Sequence, residues 1–186
     1  MLSTTDAIVL SLQPHSDKAH ILHAYTRSGG RVNYMVYGLG RKNTSGKYSP
    51  LSIVQLTTDD RSIRTAQLTF VPQTIISNPN KSAIALFISE VLFHVLRHPM
   101  QDEPMFDFIA QAIEELDQTD QPQNFHVSFL TGLVAKLGFA MTQELPLPNN
   151  RKERQEALRT LCTYFEEHVE TWQTPKSLDV LMEVFD

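Results

Sequence analysis

The sequence predicts an α+β protein in which a five-stranded β-barrel precedes an all-helical domain. Apolar residues recur with period two before about residue 78 and with a period of 3.6 after it, the change expected where strands give way to helices. The net charge changes sign at the same point. Residues 1–78 carry eight basic and four acidic side chains, whereas residues 79–186 carry eight basic and seventeen acidic ones. We therefore predict two domains, a basic one over 1–78 and an acidic one over 79–186.

The five predicted strands are short runs of alternating or β-branched residues bounded by turn residues. The runs read AIVLSL, HILHAYT, RVNYMVY, LSIVQLT and SIRTAQLTFV. Gly29 and Gly30 can supply the positive φ angles of a turn between the second and third runs. Asp59 and Asp60 suit a tight turn between the fourth and fifth runs. Short antiparallel strands in this number predict a small closed or partly closed barrel.

Strict alternation in two of the runs predicts which side chains share a face. Ile8, Leu10 and Leu12 are expected on one face of the first strand. Tyr34 lies two residues from a valine on either side, so we expect its ring in the barrel core. Tyr37 adjoins a glycine-rich loop, where its ring is equally compatible with the core and the surface.

The second half contains five helix patterns, each an apolar stripe with 3.6-residue spacing. The stripes cover residues 84–95, 106–116, 125–137, 158–169 and 178–185. Asp102 and Asn150 are placed to cap the second and fourth helices, and Gly138 to end the third. Thr174 and Pro175 are the expected N-cap and first residue of the last helix. The pattern predicts a helical bundle.

Enzyme motifs are missing from the sequence, which has no Walker loop, no G-x-G-x-x-G, no G-x-S-x-G and no HExxH. The best metal candidate is Glu90, His94 and His98, spaced i, i+4 and i+8 on one predicted helix, but a solvated helix face explains the same spacing. We therefore predict a protein that is not an enzyme and that has no catalytic residues, cofactor or metal.

The single cysteine and the hydropathy pattern bear on the cellular compartment. Cys162 excludes an internal disulfide and a cysteine-based zinc site, and its apolar neighbours predict a buried structural thiol. No window approaches the ~18 uncharged apolar residues of a membrane span, and the start MLSTTDAIVL lacks the features of a secretory signal. We expect a cytoplasmic protein that does not enter a membrane.

A cationic loop stands out in this acidic chain, whose formal net charge is −5. The stretch YGLGRKNTSGKYSPL contains three glycines, three cations and no acid. A small barrel with exposed cations and rings can follow a nucleic-acid backbone by charge and stack bases on its rings. A merely solvated loop is the alternative interpretation. The candidate nucleic-acid-binding residues are Arg27, Arg31, Tyr37, Arg41, Lys42 and Lys47.

Several segments, in order along most of the chain, resemble the RecO family of bacterial recombination mediators. HILHAYTRSGGRVNYMVYGLGRKN resembles the family's strand ending in T-x-x-G, followed by a further strand and a Gly-Arg-Lys loop. LFISEVLFHVLRHPMQDEPMFDF resembles its S-E-V-L segment and the helix after it, and NFHVSFLTGLVAKLGF its N-F-x-x-x-F-L helix.

The resemblance implies an OB-fold that binds single- and double-stranded DNA and anneals complementary strands. It also implies cooperation with RecR to load RecA onto DNA covered by single-stranded DNA-binding protein (SSB), in the cytoplasm at the nucleoid. In the family, the helical part receives the acidic, apolar C-terminal tail of SSB. Arg151, Lys152 and Arg154 are candidate cations for that tail. The alternative is an adaptor that binds SSB or RecR and has little DNA binding of its own.

One departure from the family pattern affects the expected cofactor. Many members carry a four-cysteine zinc element between the third helix and the closing helices. Here AMTQELPLPNNRK, residues 140–152, fills that place and contains no cysteine. We therefore expect a shortened helical domain without zinc.

Overall fold

The structure, a computed structural model, describes residues 2–39, 46–139, 141 and 145–185. Its contacts divide the chain into two compact units. The first unit contains Met1–Gln73 and Leu96–Ile113, and the second contains Thr74–Val95 and Glu114–Asp186. Each unit thus combines two separate segments of sequence, and the predicted domain boundary after residue 78 stays a prediction.

The first unit is built around a closed barrel of five strands. They are β1 (Leu2–Ser16), β2 (Ala19–Thr26), β3 (Gly30–Tyr37), β4 (Ile53–Asp59) and β5 (Ser62–Phe70). Around the barrel the strand order is β1-β2-β3-β5-β4, and β4 pairs with β1 to close it. Neighbouring strands are antiparallel except β3 and β5, which meet in parallel at Met35 and Ser62. The predicted five-stranded barrel and OB-fold are confirmed.

A β-bulge changes the expected faces of β1. Ala7 and Val9 belong to the barrel core, and the register shifts between Val9 and Ser11, so that Leu12 returns to the same core. Ile8 and Leu10 are also buried but lie outside that cluster. The prediction that Ile8, Leu10 and Leu12 share one face is therefore wrong, because a bulge adds one residue and reverses the alternation after it.

The two predicted turns of the barrel are present. Gly30 has a φ of 63°, which provides the left-handed residue of the β2–β3 turn. Asp60 has a φ of 54° and follows the last residue of β4. Asp and Asn tolerate this conformation better than other residues with a Cβ atom, which explains the tight connection to β5.

Six α-helices and one 3-10 turn, Pro122–Asn124, are described. The helices are α1 (Gln73–Ser77), α2 (Pro79–Val95), α3 (Glu103–Gln118), α4 (Phe125–Lys136), α5 (Arg151–His168) and α6 (Leu178–Val184). The predicted stripes are confirmed at their centres, since Phe87, Leu92, Ile109, Leu133 and Phe165 are all buried. Helix α1 was not predicted from the sequence, because a helix of little more than one turn carries no periodic signal.

The predicted helix ends are confirmed in α3, α4 and α5. The Asp102 carboxylate accepts a hydrogen bond from the Met105 N–H at 2.9 Å, and the Asn150 side chain accepts one from the Glu153 N–H at 3.0 Å. Gly138 has a φ of 80° just beyond α4. These contacts satisfy N–H groups that a helix leaves without an internal partner.

The start of α6 differs from the prediction. The helix begins at Leu178, after a turn in which the Leu178 N–H donates to the Pro175 carbonyl at 3.2 Å. Ser177 precedes the helix, and its N–H and hydroxyl both donate to Glu90 Oε2, at 2.9 and 2.7 Å. The assignment of Thr174 and Pro175 as N-cap and first residue is wrong, because a tertiary contact with α2 fixes the start of α6.

Candidate nucleic-acid interface

Tyr37 and Lys47 lie on the surface at the two sides of the cationic loop. Tyr37 is the last residue of β3, and its side chain is 60% exposed. Lys47 is exposed in the segment that leads towards β4. Arg41 and Lys42, the other two cations of this loop, lie outside the residues that the structure describes.

Tyr37 is the exposed ring among the four tyrosines of the barrel. Tyr25, Tyr34 and Tyr48 are buried, as predicted for Tyr34. Burial, together with the negative charge of Asp102, raises the pKa of Tyr25 to about 12. Burial also raises the pKa of Tyr34 and of Tyr48. Of the ring candidates, only Tyr37 offers a face on which a base could stack.

The segment after the loop is fixed to β1, which explains why Lys47 has a defined place. Tyr48 packs into the barrel core, next to Lys47 in sequence. The Leu51 N–H donates to the Val9 carbonyl at 2.8 Å, and the Val9 N–H donates to the Ser52 carbonyl at 2.9 Å. These contacts anchor the backbone while the lysine remains in solvent.

Lys18 is a cation of this region that the sequence analysis missed. It lies in the turn between β1 and β2, and its carbonyl accepts a hydrogen bond from the Gly38 N–H at 3.3 Å. The β2–β3 register pairs Ala19 with Tyr37, which places Lys18 beside the exposed ring. Only strand pairing reveals this neighbour, because Lys18 and Tyr37 are nineteen positions apart in sequence.

Arg27 and Arg31 lie at the other end of the β2–β3 pair. In the register, Thr26 pairs with Gly30 at that end and Ala19 pairs with Tyr37 at the opposite one. Seven residues of strand separate the two ends, a distance of about 23 Å. The structure therefore does not bring all of the predicted binding residues together.

Protein groups already contact both of these arginines. The Arg27 guanidinium lies 2.7 Å from Asp107 and 3.9 Å from Asp6, and its Cζ lies 4.4 Å from the centre of the Phe106 ring. Arg31 is only 9% exposed. Burial, with the positive charge of Arg97, lowers the pKa of Arg31 to about 10.

In the second unit, the predicted tail cations Arg151 and Arg154 line a small pocket. Arg154 donates to Asn124 Oδ1 at 3.1 Å, and its Cζ lies 5.6 Å from the centre of the Phe185 ring. Arg151 donates to the Met182 carbonyl at 3.3 Å. Lys152 points elsewhere, towards Glu156 at 3.9 Å. The pocket is lined by His126, Arg151, Arg154, Gln155, Leu158, Leu181, Met182 and Phe185.

The metal candidate is not assembled on one helix. Because α2 ends at Val95, His98 lies outside the helix that carries Glu90 and His94. Among the residues described here, no group of three or more potential ligands could hold a metal ion. Cys162 is buried as predicted, and burial, with the charge of Glu166, raises the pKa of its thiol to about 11. None of the described helices is long and apolar enough to cross a membrane.

Comparison with known proteins identifies the family. The family model "Recombination protein O N terminal" matches residues 1–77, and "Recombination protein O C terminal" matches residues 76–144. The DNA repair protein RecO of Porphyromonas gingivalis is 33% identical over 150 residues, which cover 74% of this chain and 61% of that protein. The chain belongs to the RecO family. The resemblance stated from the sequence is thereby confirmed.

Two further RecO relatives align over their whole length. The DNA repair protein RecO of Christiangramia forsetii is 27% identical over 239 residues, and that of Bacteroides fragilis is 28% identical over 243 residues. Both alignments cover all of this chain and all of the relative. They are longer than the 186 residues present here, so these RecO relatives contain residues that this chain lacks.

Proposed function

We propose that this protein is a DNA-binding recombination mediator that anneals complementary strands and, with RecR, helps to load RecA onto SSB-covered single strands. The observation that carries the proposal is a set of exposed side chains near the described ends of the cationic loop, Lys18, Tyr37 and Lys47, here called the loop-end surface. It lies on a barrel of a fold that binds oligonucleotides, in a chain of the RecO family. The protein would act by binding rather than by catalysis, in the cytoplasm at the nucleoid.

The loop-end surface combines the two contacts that recognise single strands without sequence preference. Lysine ammonium groups neutralise phosphates and release counterions, about 0.7 per contact on a single strand. A base that stacks on the exposed Tyr37 ring adds affinity without selecting one base over another. Arg41 and Lys42 remain proposed contributors, because they lie in the same loop.

We expect Lys18→Gln combined with Lys47→Gln to weaken binding to single-stranded oligonucleotides about five-fold. The loss should be similar for different sequences, and the slope of log affinity against log salt should flatten by about 1.4 because two phosphate contacts are removed. Fluorescence anisotropy at two salt concentrations measures both quantities. Lys136→Gln with Lys176→Gln is the matched control, since it removes the same charge from the second unit. If both double variants lower the affinity and flatten the salt slope equally, the loop-end surface is not the DNA-binding surface.

We propose the pocket of the second unit as the site for the acidic, apolar tail of SSB. Arg151 and Arg154 provide positive charge at its rim, and Leu158 with Leu181 provides apolar surface. The ring of Phe185 packs beneath the Arg154 guanidinium and forms part of the pocket wall, against which an apolar side chain of the tail could pack. Acidic groups beside such a ring would meet both guanidinium groups.

We expect Arg151→Ala to weaken binding of a fluorescent SSB-tail peptide about five-fold, which corresponds to the loss of one hydrogen bond of ~1 kcal/mol at the solvent-exposed rim. Arg159→Ala on the same helix is the control, because Arg159 is exposed and does not line the pocket. Anisotropy of the labelled peptide gives the affinity. A loss of the same size in both variants would indicate a general charge effect and remove the pocket from the proposal.

The second candidate function is an adaptor with little DNA binding of its own. Two observations favour it: carboxylates neutralise Arg27, and the chain carries a net charge of −5. Such a protein would bind the tail peptide but leave an oligonucleotide unshifted at low salt. Anisotropy with both probes therefore separates the two functions.

A further inference from the structure

Residues 178–185, here called the α6 segment, fill most of the pocket that we propose for the SSB tail. The Leu181 and Phe185 side chains of this segment line the pocket and are 2% and 8% exposed. The free volume that remains is about 10 Å³, which is room for roughly one water molecule. A side chain of another peptide can therefore be buried here only where part of the α6 segment moves out.

The other side of the pocket is a groove on α4 and α5. Five lining residues belong to these two helices and are here called the α4–α5 groove: His126, Arg151, Arg154, Gln155 and Leu158. The Phe185 ring stacks on the His126 ring at a centroid distance of 6.1 Å, and Arg154 Cζ lies 5.6 Å from the centre of the Phe185 ring. An aromatic side chain thus anchors the α6 segment in the groove.

Polar contacts hold the α6 segment by its backbone. The Met182 carbonyl accepts hydrogen bonds from Arg151 and Gln155 at 3.3 and 3.4 Å, which are longer than usual. Every peptide has backbone carbonyls, so the same two donors can serve another chain. A carboxylate on that chain would gain more from Arg151 than the carbonyl does, because a hydrogen bond between charged groups is stronger.

The groove also contains a polar atom that the α6 segment leaves unused. No residue that the structure describes forms a hydrogen bond with His126 Nδ1, although the ring is 2% exposed. A buried polar atom without a partner costs free energy, and a ligand that supplied the partner would recover it. The α6 segment therefore fills the groove without satisfying it.

The composition of the α6 segment matches that of the ligand we propose for the pocket. Residues 178–185 read LDVLMEVF and contain two acidic residues, no basic residue and six apolar ones. Two guanidinium groups, those of Arg151 and Arg154, lie in the groove that holds this segment. An acidic, apolar peptide would find the same complementary charge there.

A contact with α2 keeps the α6 segment in place. The Ser177 N–H and hydroxyl donate to Glu90 Oε2 at 2.9 and 2.7 Å, immediately before α6 begins. A helix of seven residues is not stable in water by itself, so tertiary contacts keep α6 formed. Removing the Ser177 hydroxyl should therefore loosen the segment without changing any residue of the groove.

We propose that the α6 segment is an internal ligand of the α4–α5 groove and that an acidic, apolar peptide binds there by displacing it. The apparent affinity for the peptide is then its intrinsic affinity multiplied by the fraction of molecules in which the groove is open. The inference rests on the proposed tail site and deepens it, because the position of the α6 segment controls access to that site.

Ser177→Ala tests the displacement with the fluorescent SSB-tail peptide. We expect this variant to bind the peptide about five-fold more tightly than the wild type, because one hydrogen bond that closes the groove is lost. Ser89→Ala is the matched control, since it removes a buried hydroxyl that donates to the Leu86 carbonyl within α2. Equal or weaker binding by Ser177→Ala would make the α6 segment a fixed wall and overturn the inference. A gain of the same size in Ser89→Ala would indicate a general loosening and would also overturn it.

Phe185→Ala gives opposite results for a displaced segment and for a fixed wall. A displaced segment that loses its aromatic anchor competes less well, so we expect the tail peptide to bind at least five-fold more tightly. A fixed wall that loses the same ring offers less apolar surface, so the peptide would bind more weakly and the inference would fail. Ser177→Ala decides the matter where Phe185→Ala does not fold.

A labelled peptide of residues 178–185 separates this inference from the proposed function. We expect it to bind Ser177→Ala about five-fold more tightly than the wild type. If it does so while the SSB-tail peptide binds none of the proteins, the internal ligand is supported and the proposed tail site is refuted. If the SSB-tail peptide binds the wild type but Ser177→Ala gains affinity for neither peptide, the tail site stands and the inference is overturned. Binding of neither peptide to any of the proteins overturns both.

Discussion

Replacing Gly30 by alanine is expected to lower the free energy of unfolding of the first unit by about 3 kcal/mol. Two causes add at this position. Its φ of 63° is unfavourable for any residue with a Cβ atom. That Cβ would also overlap the Met100 carbonyl oxygen, and the obstacle is backbone rather than the end of a flexible side chain. Urea denaturation followed by tyrosine fluorescence measures the change.

Gly38 provides the matched control. Its φ of 71° resembles that of Gly30, but an added Cβ would meet no atom within 4 Å. Gly38→Ala should therefore cost only the conformational part, about 1 kcal/mol. The difference between the two variants isolates the clash with residues 98–100. Equal losses would mean that this segment moves aside without cost.

The barrel could be predicted because its signals are local. Alternation identifies strands, and residues such as Gly30 and Asp60 identify turns at positions where positive φ is needed. The bulge after Val9 could not be predicted in this way, because it depends on how β1 must bend to pair with β2 and β4 together. Its consequence is local, since it reverses the faces within one strand and leaves the strand itself intact.

The candidate interface was less predictable, because it depends on contacts between residues far apart in sequence. A list of cations cannot show that Asp107 neutralises Arg27, or that the strand register brings Lys18 beside Tyr37. The composition predicts a basic first half of the sequence. In the structure, Arg97, which follows α2 in sequence, also belongs to the first unit. Charge counting therefore finds the unit that could bind a polyanion, and pairing decides which cations act together.

The difference between local signals and contacts made far along the chain also explains why α6 was predicted but its start was not. The apolar spacing of Leu181 and Phe185 correctly predicted an amphipathic segment, and both side chains are buried. The prediction of the helix start was wrong because Ser177 donates two hydrogen bonds to Glu90, which lies 87 residues earlier. A capping motif is a local preference of about 1 kcal/mol, and two hydrogen bonds to a carboxylate outweigh it.

His126 should make the stability of the second unit depend on pH. The ring is 2% exposed, stacks on Phe185 and meets the edge of Phe87. Burial, then the charge of Arg154, lowers its pKa from 6.5 to about 3. Between these two values the unfolded chain binds a proton that the folded unit does not bind. The free energy of unfolding should therefore fall by about 1.4 kcal/mol per pH unit below 6.5, which amounts to about 2 kcal/mol at pH 5.

His126→Phe should abolish this part of the pH dependence, because it keeps an aromatic ring between Phe87 and Phe185 and removes the titrating group. Urea denaturation at pH 7.5 and pH 5 measures the slope in the wild type and in the variant. If wild type and His126→Phe lose the same stability between these pH values, the folded unit protonates His126 as readily as the unfolded chain does. A confirmed slope would also bear on the tail pocket, because the folded unit would then keep a neutral His126 ring stacked on Phe185 at pH 5 and add no third cation beside Arg151 and Arg154.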